Sequence, residues 1–305
     1  MDLRDLHYFE VIAELEHMGR ASERLHRTQP ALTSSIRRLE QDCGVRLFEK
    51  SGRGIRLTEA GQVLLKWARR TRLDVHDAQQ EINHLAHGLS GTVRVGIVPT
   101  AAQFLLPPAM RQLIREAPEV NLHTVVGLID VLRSLLHSGE VDMTIGTEGM
   151  AEPGFTSEFL GEDPIVVVAN ASHDIFERTP SIKDLGAYRW VLQSAGAPTR
   201  DWLDQTFERH HLPRPRVQVE SNTLLMLPTL IAETGLLSFI SRRHLLSGQP
   251  NFALKEVNVQ ETVMQRRMVV TYREGGYLSP ASRRLIELLA SAAGSDGSTD
   301  ELTSS

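Results

Sequence analysis

A chain of 305 residues with one cysteine exceeds a single typical core and is expected to divide into two or three folding units without an internal disulfide framework. No apolar run approaches the roughly 20 residues that span a bilayer, and the start MDLRDLHYFE lacks a signal peptide's basic beginning and apolar middle, so the expectation is a cytoplasmic protein with no membrane partner. The net charge of −5 hides a lopsided distribution: residues 20–72 hold thirteen Arg and Lys against five acids, leaving −13 for the remainder, as if one basic module meets a polyanion while an acidic body keeps it in solution.

In chain order, Leu3, Leu6, Phe9, Ile12 and Leu15 step near helical spacing and predict a first helix that breaks at Gly19. Arg20 to Leu25 predicts a short second helix. A third begins after Thr28, a candidate N-cap through its hydroxyl, carries Pro30 in its first turn, and stops at Gly44, which tolerates a left-handed cap. VRLFEK and GIRLTE flank Ser51-Gly52-Arg53-Gly54 and read as two short strands with a glycine-rich tip. Three helices and a hairpin describe a winged helix-turn-helix.

The third helix has an unusual outer face. With Leu32 at zero and ~100° per residue, Thr33, Arg37, Pro30 and Ser34 fall at roughly 100°, 140°, 160° and 200°. That face is short-chained, hydroxylated and basic, with no acid in it. Such a helix can enter a major groove, where small side chains approach base edges and amides or guanidiniums reach donors and acceptors. Cys43, on the apolar stripe, reads as core packing.

From Thr58 to Gly88 nothing breaks helix, and Leu64, Ala68, Thr71, Val75, Ala78, Ile82, Leu85 and Leu89 alternate steps of four and three. That heptad seam predicts a long helix paired with its own copy. Beyond it, TVRVGIV, LLPPAMRQLIREA, VNLHTVV, VLRSLLHSG and VDMTIG alternate strand and helix in parallel βαβ fashion. PIVVVAN, RWVLQ, a helix from Thr199 to His211, VQVES, a helix from Thr223 to Glu233 and LLSFIS continue it. RRMVVTY and a helix from Ser279 to Ala292 close the series. Crossovers near residues 161 and 265 would join two α/β lobes around a cleft. The final GSDGSTDELTSS reads as a disordered tail.

The chain resembles LysR-type transcriptional regulators, through RASERL in helix two, TQPALTSSIRRLE in the recognition helix, GVRLFEKSGRGIRLTEAG in the wing, the linker helix, and LHSGEVDMTIG further on. The resemblance implies a winged helix-turn-helix over residues 1–60, a dimerising linker helix over 61–89, and a periplasmic-binding-protein-like effector domain over 90–293. Its first lobe would take about 90–160 and 266–293 and its second about 161–265, with the tail from 294 to 305. The implied partners are double-stranded promoter DNA, a small-molecule effector, further copies in a homodimer or homotetramer, and RNA polymerase. Three stretches depart from the family pattern: Glu16-His17-Met18-Gly19 before helix two, Ser34-Ser35 in the recognition helix, and Gly127-Leu128-Ile129, which lacks a hydroxyl that relatives can turn toward the cleft.

For DNA the candidates are Thr28, Gln29, Pro30, Thr33 and Ser34 on the reading face, Arg37 and Arg38 for phosphates or guanine, and Arg53 for a minor groove. Parallel sheets place ligand sites at the carboxyl ends of their strands. The effector candidates are therefore Thr100 first, then Ala101, Thr147, Ser194, Asn222 and Thr223. No cofactor, metal site or catalytic constellation is expected. His84 and His87 lack a third ligand, and Ser172-His173-Asp174 are adjacent and cannot normally form a hydrolytic triad. Asp201, Asp204 and Glu208 read as one solvated face. A small-molecule enzyme or storage protein on the two-lobed domain, and an architectural DNA binder without an effector, remain alternatives.

Overall fold

The computed structural model of the protein describes residues 1–52, 54–87, 90–246 and 253–294. Two compact units, Met1–His87 and Gly88–Ser305, make up the chain.

In the first unit α1 (Leu3–Leu15), α2 (Met18–Leu25) and α3 (Gln29–Cys43) precede a hairpin of β1 (Phe48–Ser51) and β2 (Gly54–Leu57), and α4 (Glu59–His87) follows. The strands pair antiparallel, with Phe48 opposite Leu57. Phe9, Ile12, Ala21, Leu32, Leu39 and Leu47 form the core beneath them, and the Phe9 and Phe48 rings lie 5.2 Å apart. Apolar burial of this kind, not propensity, holds such short helices in place.

Helix boundaries follow their caps. α2 begins two residues before Arg20 because the His17 ring accepts at Nδ1 from the Gly19 and Arg20 amides, at 3.1 and 3.3 Å. Thr28 occupies the N-cap of α3 with extended backbone, but its hydroxyl makes no capping bond, so that expectation is corrected and Pro30 pre-sets the first turn instead. Thr58 does cap α4, accepting from the Gly61 amide at 3.0 Å. Cys43 is half-buried at the end of α3. Gly44 closes that helix at φ +72°, with open space where a Cβ would stand. Gly44→Ala therefore strains only the backbone and should lower stability by about 1–2 kcal/mol; Gly44→Asn, which tolerates this region better, should lose less in a thermal melt.

The second unit opens with β3 (Gly91–Ile97), α5 (Pro99–Phe104), α6 (Leu106–Glu116), β4 (Val120–Val126), α7 (Ile129–Ser138), β5 (Met143–Thr147) and β6 (Phe155–Glu162). It continues through β7 (Ile165–Asn170), α8 (Ile182–Leu185), β8 (Arg189–Leu192), α9 (Pro198–Arg209), β9 (Arg216–Glu220), α10 (Leu227–Thr234), β10 (Ser238–Ser241), α11 (Arg243–Leu246) and β11 (Leu254–Glu256). β12 (Arg267–Arg273) and α12 (Pro280–Gly294) complete it.

Lobe one is a five-stranded sheet in the order β4-β3-β5-β12-β6, with α5, α6 and α12 packed on one face and α7 on the other. Lobe two holds β10-β7-β11 and the pair β8-β9, linked by a bridge between Trp190 and Leu237. The βαβ units β3-β4, β3-β5 and β8-β9 are parallel, but β12 runs antiparallel to β5 and β6, and β7 pairs antiparallel with β10 and β11. The parallel βαβ expectation holds for β3, β4 and β5, and the sheet as a whole is mixed: a run such as RRMVVTY looks alike in either direction, and its connections set its sense.

Two segments pass side by side between the lobes, Asp163 donating from its amide to the Arg266 carbonyl at 2.7 Å. The fully buried Asp163 carboxylate accepts from Ser241 and from the Arg266 guanidinium, which pins one crossing to the other. Among the described residues no helix is long and apolar enough to cross a membrane.

Candidate nucleic-acid interface and effector edge

α3 buries Leu32, Ser35, Ile36 and Leu39 and turns its other side outward. Gln29, Pro30, Ser34 and Arg37 are exposed, as is Thr28 ahead of them, and Thr33 is half-buried with its hydroxyl returned to the Gln29 carbonyl at 2.9 Å. Arg37 has no ion pair or hydrogen bond among the described residues, so its guanidinium is free for something outside the chain. The carbonyl-bound hydroxyl leaves Thr33 presenting its methyl, and Ser34 keeps its hydroxyl near the surface.

Arg38 differs from its neighbour. Its fork grips the buried Asp5 of α1, with Nε and Nη2 donating at 2.9 and 2.6 Å, while Nη1 reaches the Ser34 hydroxyl at 3.3 Å. Ser35 completes the contact by donating to Asp5 at 2.6 Å from a fully buried position. The Arg38 hydrogen bonds hold the Asp5 carboxyl below the usual carboxylate range, against the desolvation that would raise it. Arg38 therefore holds α3 on α1 through Asp5, a role that its reading for phosphates or guanine did not include. Arg53 lies outside the described residues.

Arg20, in the first turn of α2, is also exposed, and its guanidinium has no partner among the described residues. A Cβ on the adjacent Gly19 would stand 3.5 Å from the side-chain Nε2 of Gln29, so the start of α2 borders the reading end of α3. Sequence reasoning missed Arg20, although its place opening the first helix of a helix-turn-helix, the one that crosses the backbone, was the available signal.

In the second unit four of the six effector candidates gather at strand ends. Thr100 opens α5 after β3 and is 7% exposed, and its hydroxyl has no partner among the described residues. α5 lies against the short turn Leu224–Met226, which directly follows Asn222 and Thr223. Ser194, just past β8, donates from its amide to the Asn222 side chain at 3.2 Å. Ala101 is corrected: it is 1% exposed and packs in the lobe-one core, because one step along a helix turns a side chain about 100° away from its neighbour. Thr147 ends β5 beside α7, in a separate depression.

Other sequence features resolve as structure. His173 caps a turn, accepting from the Ile175 amide at 3.1 Å while its Nε2 meets the Gly235 carbonyl at 3.0 Å. Asp204 is buried and paired with Arg200 at 2.9 Å, which corrects its reading as part of a solvated face. The side chains of His84 and His87 lie outside the described residues.

Comparison with known proteins gives two family matches: a bacterial regulatory helix-turn-helix protein of the lysR family over residues 3–62, and a LysR substrate binding domain over residues 86–294. Among curated relatives, CbbR of Rhodospirillum rubrum is 28% identical over 95% of this chain and 96% of its own length. GalR of Pseudomonas putida is 27% identical over 93% of this chain and 72% of its own; both are named as HTH-type transcriptional regulators. A full-length OxyR variant from Pseudomonas aeruginosa superposes with a TM-score of 0.66 at 26% identity, covering 96% of this chain and 94% of that one. CbnR, solved with its target DNA, shares the fold at a TM-score of 0.55 and 23% identity, over 96% of this chain and 100% of its own.

Proposed function

This chain belongs to the LysR family of bacterial transcriptional regulators, and from that premise we propose how its own residues divide the work. Gln29, Pro30, Thr33 and Ser34 read base edges in a major groove, with Thr28 at the entry of the helix. Arg37 and Arg20 hold phosphates, and Arg53 enters the minor groove beside the wing. Thr100, Ser194, Asn222 and Thr223 receive a small effector between the lobes, while Thr147 stands apart from them in the lobe-one depression. The protein is a regulator in the cytoplasm and not an enzyme.

The observation that carries this reading is the outer side of α3 from Gln29 to Arg38: exposed, free of acids, and bearing in Arg37 an arginine with no partner among the described residues. A protein surface evolved only to meet water has no need of an unpaired, closely approachable face. A second copy completes the assembly. Leu64 and Ala68 of the seam pack into the core, whereas Val75, Ala78 and Ile82 further along α4 are exposed at heptad spacing. A partner's α4 covers them in a homodimer, which can pair again as a tetramer and meet RNA polymerase at the promoter.

Effector binding changes DNA binding only insofar as the effector's affinity differs between two arrangements of the assembly. The direct test is a titration of the full chain onto duplex fragments from its own upstream region, repeated across salt concentrations. Log affinity should fall steeply and linearly with log salt, by about 0.9 per phosphate neutralised. One upstream fragment should also hold more tightly than random duplex. Equal and salt-insensitive binding to all fragments would overturn the assignment of α3.

A further inference from the structure

Apart from the interlobe edge, lobe one holds a trough of about 260 Å³ between α7 and the sheet. Every residue lining it comes from lobe one: Ile129, Arg133 and Leu136 along α7, the stretch Thr147 to Glu152, Phe155, and the strands beneath. Its floor is a row of hydroxyls. Thr144 on β5 stands in register with Thr271 on β12, and Thr271 with Ser157 on β6. Adjacent strands lie roughly 4.8 Å apart, so three hydroxyl-bearing residues follow one another across the sheet at that interval. Ser157 and Thr271 share one hydrogen bond of 2.8 Å, in which one hydroxyl donates and the other keeps its proton for another partner.

The charges around this floor are unequally committed. Glu148 is bound by Arg267, whose Nη1 meets both carboxylate oxygens at 3.0 Å. Glu152 accepts from the His137 ring at 2.6 Å. Arg133 has only one ion pair, at 3.5 Å to Glu152, and makes no hydrogen bond among the described residues. Its planar fork is thus the least committed charged donor in the trough, and such forks match carboxylate and phosphate oxygens two at a time. A guanidinium on one wall, hydroxyls on the floor and the Phe155 ring at one end form a pocket below the roughly 300–1,000 Å³ of drug-sized sites. Its size suits a molecule of few atoms.

We propose that this trough is a second ligand site, for a small polyhydroxylated anion whose carboxylate or phosphate group takes Arg133 and whose hydroxyls take the Thr144, Thr271 and Ser157 row. It is separate from the interlobe site and does not depend on how DNA is read. Glu152 keeps its histidine when the ligand displaces it from Arg133, so no carboxylate is stranded. Ile129 and Thr147 lie at the end of the trough nearest the strand termini, which lets an occupant bear on the start of α7.

The test is calorimetric titration of the full chain with gluconate and with glucose 6-phosphate, against glucose and inorganic phosphate as controls. One or both hydroxylated anions should bind saturably, at least tenfold more tightly than either control, and which one binds distinguishes the carboxylate source from the phosphate source. Arg133→Gln, at an exposed position, should weaken binding about tenfold or more, and Thr271→Val should weaken it several-fold, with melting curves like the parent's. Thr100→Val should leave the affinity unchanged. No saturable binding by either anion, equal binding of glucose, or loss in Thr100→Val with none in Arg133→Gln would each overturn the proposal. None of these outcomes bears on the DNA titration, so the two readings fail separately.

Discussion

Replacing Gln29 by alanine is expected to cut the preference for the cognate operator over unrelated duplex by roughly 5- to 150-fold, while affinity for random DNA hardly changes. A well-placed amide contact to a base edge contributes about 1–3 kcal/mol of discrimination, and that contribution vanishes on sequences that never offered the contact. Arg37→Ala should behave in the opposite way. It should weaken binding to every duplex and flatten the salt dependence by about 0.9 in log–log slope, because one phosphate fewer is neutralised. Neither change should disturb the fold, since both side chains are exposed and Arg37 leaves no partner behind among the described residues. Fluorescence anisotropy with a cognate and a scrambled duplex at several salt concentrations separates the two signatures. If both variants track the parent on both duplexes, α3 is not the reading helix.

That contrast between two neighbouring arginines was only half legible in the sequence. Helix α3 itself declared its limits, through Pro30 in the first turn, a stripe at Leu32, Ile36 and Leu39, and Gly44 at φ +72°. Arg37 and Arg38 looked alike there, for both flank the same bare face. What separates them is Asp5, thirty-three positions before Arg38, and no local periodicity encodes a contact made across the core. In the same way β6 went unread: Phe155–Glu162 is exposed over half its length and carries no clean alternation, so its hydrogen bonds to β12 come from tertiary pairing. The helix α5 was hidden within a longer apolar run, and its first turn decides why Thr100 and Ala101 face differently. Burial patterns are legible when one face alone is wet; chemistry that depends on a distant partner is not.

Asp5 is where that distant partner has its largest expected effect. The carboxylate is 4% exposed and collects three hydrogen bonds, two from Arg38 and one from Ser35. Asp5→Ala leaves the Ser35 hydroxyl buried without its acceptor and frees α3 from α1. Breaking a fully buried ion pair costs about 3–5 kcal/mol, but the Arg38 side chain is 50% exposed and can turn into water, so the expected loss is nearer 2–3 kcal/mol. Arg38→Ala should lose at least as much as Asp5→Ala, because it leaves the buried carboxylate with no counter-charge and the Ser35 hydroxyl as its one remaining side-chain donor. The pH dependence has a definite sign. Asp5 is held below its ordinary value, so it adds stability at pH above the unfolded carboxylate value of about 3.9, and that stability drains as pH falls through the lower, folded value. The parent and Asp5→Ala should therefore differ by a constant amount between about pH 5 and 8 and converge on acidification. Urea unfolding of both chains from about pH 8 down to about pH 3, followed by hydrogen exchange at α3 amides, measures it; a gap that widens at low pH would mean that folding raises the Asp5 carboxyl instead of lowering it, and that α3 is held by something else.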